Sequence, residues 1–141
     1  MGKIDTGRVI LGGIVAGIII DIFEYVLNAI VLANDWTDII AAHNLTAMGM
    51  HEIIAFNVIG LIIGIAAVWT YAAIRPRFGA GPRTAFYAAL LIWVVGYVLA
   101  DATPAIIGLF SMRMFCMLVG VGLVEIVVAT LAGAYFYNEP A

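Results

Sequence analysis

The chain has 141 residues, 65% of them hydrophobic and only 11% charged, with a formal net charge of −3. A soluble domain is nearer half apolar and a quarter charged, so a mean hydropathy of +1.15 excludes a water-soluble globule and points to an integral membrane protein. There is length for one domain and no basic stripe for nucleic acid, and the single cysteine, Cys116, rules out an internal disulfide framework.

Met1 to Gly7 is a short polar lead with Lys3 and Asp5. The first apolar run predicts a helix over about residues 8–33, long enough to cross a bilayer. Basic residues before an apolar run also outline a signal peptide ending at Val31-Leu32-Ala33. Asp21 and Glu24 inside the run argue instead for a retained helix. At about 3.6 residues per turn, Gly13, Gly17, Asp21, Glu24 and Asn28 share one face. An ionisable group at the bilayer centre costs roughly 2.5–3.5 kcal/mol on insertion scales, so that face has to look into protein.

The connection from Asn34 to Ala47 carries Trp36, suited to the membrane interface, and residues 36–42 are expected to lie on that surface as a turn or two. A second helix is predicted over about 48–74, with His51, Glu52 and Asn57 early and a GxxxG pair at Gly60 and Gly64. Arg75 to Arg83 is a tight connection punctuated by Pro76, Gly79, Gly81 and Pro82. The third helix, about 84–100, carries Trp93, Gly96 and Tyr97 and is closed by Asp101. Thr103-Pro104 opens a short interfacial turn through Leu109. The fourth helix, about 111–137, has Arg113 at its start, Glu125 in its middle and a small-residue face of Gly120, Gly122, Ala129 and Gly133. The tail Asn138-Glu139-Pro140-Ala141 is too short for a domain.

The expected fold is all-α: an antiparallel four-helix transmembrane bundle. Lys3, Arg8, Arg75, Arg77 and Arg83 fall on one side and Arg113 alone on the other, which predicts both termini on the cytoplasmic side of a bacterial inner (plasma) membrane. A rise of about 1.5 Å per residue along straight helices sets Asp21 and Glu125 level, roughly 18–20 Å from the terminal side. Glu24 then falls near roughly 24 Å, Asn57 and Asp101 near roughly 27 Å, and Asn28 near roughly 30 Å. No Lys or Arg lies at mid-depth to neutralise this intramembrane cluster. Its acids must therefore be protonated, share protons, hydrogen-bond or hold a cation. The plainer alternative is interhelical glue worth ~1–2 kcal/mol or less. Asp101 and Glu52, each at a helix end, also fit caps.

Soft ligands gather at the opposite end from the termini: Met48, Met50, His51 and Glu52 on the second helix, Met114, Cys116 and Met117 on the fourth. Thioether, imidazole and thiol together suit Cu(I). Methionine also fills irregular gaps, and the charge of Arg113 opposes a bound cation. His51 is the candidate axial ligand for a haem or chlorophyll, the alternative being a hydrogen-bonded interface histidine. Nucleophile elbows, phosphate loops, HExxH and dinucleotide fingerprints are absent, so no enzyme is expected.

The strings IDIFEYVLNAIVLANDW, VWTYAAIRPRFGAGPRTA and LVEIVVATLAGAYFY resemble a family of small four-helix bacterial membrane proteins, over most of Gly7 to Tyr137. That family brings a topology and no assigned activity. A looser likeness is to the small multidrug resistance transporters, similar in having four helices and an essential glutamate in the first. The long outer loop, Asp21 and Glu125 depart from their pattern. The residues thus support two expectations. One is a homo-oligomer in the lipid bilayer whose carboxylates bind or pass a proton or metal cation. The other is an accessory subunit packing on other membrane subunits through Gly13, Gly17, Gly60, Gly64, Gly122 and Gly133.

Overall fold

In hydrocarbon every backbone N–H and C=O has to be satisfied within its own segment, and for apolar runs of this length the solution is helix. The computed structural model describes residues 4–137; Lys3 and the tail 138–141 lie outside them. Helix α1 (Thr6–Glu24) runs without a break into a π-helical segment, Tyr25–Val31. After α2 (Ala33–Ala42) and α3 (Met50–Phe78), helix α4 (Pro82–Trp93) continues through a second π-helical segment, Val94–Val98, into α5 (Leu99–Ile106). Helix α6 is Met112–Phe136. The described residues contain no strand. Four helical stretches are long and apolar enough to cross a membrane: Thr6–Val31, Met50–Phe78, Pro82–Ile106 and Met112–Phe136. This is a multi-pass, all-helical membrane protein.

The two largest departures of the spans from their expected boundaries are both at prolines. Helix α3 runs past Ile74 through Pro76 to Phe78, the proline forgoing its own ladder bond, and Gly79 at φ 86° ends it. The third span does not close at Asp101 but passes it and Pro104 to Ile106. Asp101 is therefore inside a helix, and the turn follows at Gly108 (φ 82°). The Pro104 carbonyl there accepts from the amides of Leu109 (2.9 Å) and Phe110 (3.1 Å). The helix starts are capped as their residues dictate: Asp5 accepts from the Arg8 amide at 3.0 Å, and Ser111 from that of Met114 at 3.1 Å.

Small residues decide how closely the helices approach. Gly13 and Gly17 of α1 interlock with Gly60 and Gly64 of α3: a Cβ on Gly64 would strike the Gly13 carbonyl and the Gly17 backbone, and one on Gly17 would strike Leu61. A second seam joins α1 to α6, where Gly12 and Gly133 each occupy the space a Cβ on the other would need. Gly122, Ala129 and Gly133 are buried, whereas Gly120 faces open space and does not belong to the small-residue face. The interior is narrow, lined by Ala16, Ile20, Ala67, Val68, Ala88 and Ile126. A smaller apolar cluster of Leu27, Leu32, Met114 and Leu118 seats Trp36 and Phe110, whose rings meet edge to face at 5.6 Å.

Both described chain ends and the α3–α4 loop share one end of the bundle. The Asp5 amide donates to the Tyr137 hydroxyl (3.3 Å), the Arg75 guanidinium lies over the Tyr137 ring, and the Gly81 amide donates to the Tyr71 hydroxyl (3.2 Å). At the other end Arg113 grips both oxygens of Asp35 at 2.9 and 3.0 Å. Towards that end α3 stands apart from its neighbours, and every residue from 41 to 59 is exposed.

Candidate functional site

Glu125 sits about midway along α6 and is 0% exposed. One turn earlier is Gly122, and a Cβ there would collide with the ring of Tyr97. With no side chain in the way, the ring lies directly on α6 and its hydroxyl donates to Glu125 Oε1 at 2.5 Å. The second carboxyl is that of Glu24, the last residue of α1, within hydrogen-bonding reach of Glu125. In the π-helical turn that follows, Asn28 Nδ2 donates to Glu24 Oε2 at 2.6 Å and to the Glu24 carbonyl at 3.1 Å. Trp36 Nε1, from α2, donates to Asn28 Oδ1 at 2.9 Å. A hydrogen-bonded chain thus passes from Trp36 through Asn28 and Glu24 to Glu125 and Tyr97. Both π-helical segments contribute to it, as such segments often do at functional sites.

Asp21 and Asp101 lie within electrostatic range of Glu24. Straight helices set Asp21 level with Glu125, but in the bundle the partner of Glu125 is Glu24, while Asp21 rests against Gly60 at the α1–α3 seam. The pairing therefore lies one turn further along α1 than level, straight helices give. Asn57 does not join the cluster. It is exposed on the part of α3 that stands apart, and its Nδ2 donates to the carbonyl of Ile53 in its own helix (2.7 Å).

Glu125 Oε2 is buried and receives no amide or hydroxyl donor. The polar group left to serve it is the Glu24 carboxyl. The one arginine of the Asp35 end, Arg113, is engaged by Asp35, and no Lys or Arg occurs in the middle of any span. Two carboxyls placed close together with no basic side chain between them repel one another when both are anionic.

The residues of the soft-ligand set differ in burial. Met114 is buried in the apolar cluster with Leu27 and Leu118, Met117 lies at its edge, and Cys116 is exposed. Met48, Met50, His51 and Glu52 are all exposed, Glu52 accepting the Gly49 amide at 2.8 Å to close the first turn of α3. Among the described residues no group of three or more His, Cys, Asp or Glu is placed to hold a metal ion.

Sequence reasoning passed over Tyr97 and gave Trp36 only an interfacial role. The available signal was that a tyrosine deep in an apolar span needs a hydrogen-bond partner for its hydroxyl. No protein-family model matches the chain, and no curated protein or solved structure matches it.

Proposed function

We propose that this is a non-enzymatic membrane protein of the bacterial plasma membrane, with both termini cytoplasmic, whose Glu24–Glu125 pair binds and passes a cation, proton or metal, within an oligomer. One observation carries the reading: two mid-span carboxyls meet with no basic side chain beside them, and one of them is fully buried with an oxygen that no amide or hydroxyl donor reaches. Polar groups in lipid are costly, and simple glue needs neither two facing acids nor an unserved oxygen. The orientation rests on Arg8, Arg75, Arg77 and Arg83 at the terminal end against Arg113 at the other, with Lys3 adding to the first group in sequence.

Reconstituted in liposomes, Glu24→Gln and Glu125→Gln are expected to assemble like the parent and to lose cation flux or binding by at least roughly tenfold, the loss of a transition-state or site interaction of about 1.4 kcal/mol. Asp21→Asn, off the pair, is expected to lose less. Parent-level flux in Glu125→Gln, in an assay that detects the parent, would overturn the reading. A second reading, an accessory subunit of a larger complex, draws support from the exposed stretch 41–59 with Asn57 on the apolar start of α3. A foreign chain that co-purifies stoichiometrically under mild conditions would favour it.

A further inference from the structure

We infer that Trp36 is a positioning residue for Glu24, acting through Asn28, so that helix α2 belongs to the mid-span site. This rests on the reading above, in which Glu24 and Glu125 form the working pair, and names what aims one of them.

Asn28, in the π-helical segment that follows Glu24, is the middle member. A side-chain amide has two donor hydrogens at one end and an acceptor at the other, so its orientation decides what it offers a neighbour. Here the orientation is set from two sides. The Trp36 indole can only donate, and Asn28 Oδ1 accepts from it at 2.9 Å. The backbone carbonyl of Glu24 can only accept, and Asn28 Nδ2 donates to it at 3.1 Å. Both contacts turn the donor end towards Glu24, where Nδ2 also donates to Oε2 at 2.6 Å. The Glu24 carboxyl is thus aimed by a donor whose direction is fixed in part from another helix.

The indole is delivered by packing that does not need its N–H. Leu32, fully buried, anchors the entry to α2, and Arg113 donates to both oxygens of Asp35 at 2.9 and 3.0 Å. The Phe110 ring meets that of Trp36 edge to face at 5.6 Å. Trp36→Phe therefore keeps an aromatic ring beside Phe110 and removes the hydrogen bond. Asn28 Oδ1 then loses its donor. The amide is free to turn, and an oxygen turned towards the Glu24 carboxyl repels where the N–H attracted.

Solid-state NMR of the full chain in lipid bilayers, with isotope-labelled glutamate, reads the Glu24 carboxyl carbon, assigned by its loss in Glu24→Gln. Trp36→Phe is expected to shift that resonance. It should also speed deuterium exchange of the Asn28 side-chain amide at least roughly fivefold, the fold-change of one net hydrogen bond. In an Asn28→Leu background the same Trp36→Phe change should leave the Glu24 resonance where it was, because the link is already gone. A Glu24 signal that moves equally in both backgrounds, or in neither, overturns the positioning role. Asn28→Leu alone covers the case in which Trp36→Phe does not assemble. It should move both the Trp36 indole N–H and the Glu24 carboxyl signals, and either one staying put overturns the role. No readout here needs transport. Parent-level flux in Glu125→Gln, with a Glu24 signal that responds to Trp36 only through Asn28, overturns cation handling and leaves the positioning role standing. Flux lost in Glu125→Gln, with an unmoved Glu24 signal in Trp36→Phe, does the reverse.

Discussion

Glu125 owes its hydroxyl donor to Gly122, a residue with no side chain to hold the Tyr97 ring away. Removing that hydroxyl in Tyr97→Phe leaves a buried acceptor unserved, which costs about 1–3 kcal/mol. Gly122→Ala should reproduce much of the loss by displacing the ring. Both effects are read as lowered unfolding midpoints in mixed micelles, and a Tyr97→Phe protein as stable as the parent would show that the hydrogen bond contributes little. At this scale the sequence was only half legible. Asp21, Glu24 and Glu125 stand out as acids in apolar runs, whereas Tyr97 reads as an ordinary span residue until its ring is found on Gly122. The choice of Glu24 over Asp21 as partner depends on how α1 packs against its neighbours, with Asp21 set against Gly60, which residue spacing on a straight helix does not contain.

Among the elements, the two glycine seams set where α1 lies. The GxxxG of α3 was visible in sequence, and so was the small face of α1, because spacing alone puts those residues on one side of a helix. Their mutual contact converts that spacing into backbone-to-backbone approach. Gly64→Leu is therefore expected to destabilise the bundle by at least ~2 kcal/mol through overpacking. Gly120→Leu, facing open space, should stay within about 0.5 kcal/mol of the parent. Equal losses in the two variants, measured by reversible unfolding, would mean that the seam is not where the stability resides. The two π-helical segments were not legible, since a π turn uses the same residue types and nearly the same backbone angles as an α turn. Asn57 was misplaced for a related reason: periodicity gives the face of α3 but not how far its neighbours extend beside it.

For the whole molecule, composition alone was enough to give four spans, because few charges interrupt long apolar runs. Orientation rests on the arginines at the two ends. Single cysteines at Asp38 or Asn44, both exposed beyond the first span, should be labelled from outside intact cells, and one at Phe78 should not. Reversed labelling would invert the molecule and with it the direction of any flux.

The mid-span position of the carboxyl pair has an electrical consequence. Glu125 is buried about halfway along its helix, so a charge arriving there from either surface has crossed about half the membrane. Carrying one elementary charge across the full thickness is worth ~2.3 kcal/mol per 100 mV, and half of that, ~1 kcal/mol, is roughly a fivefold change in occupancy. With the cell interior negative, voltage would favour loading a cation onto the pair from outside and unloading it inward. A cation-handling site at that depth would therefore sense membrane voltage through nothing more than its position.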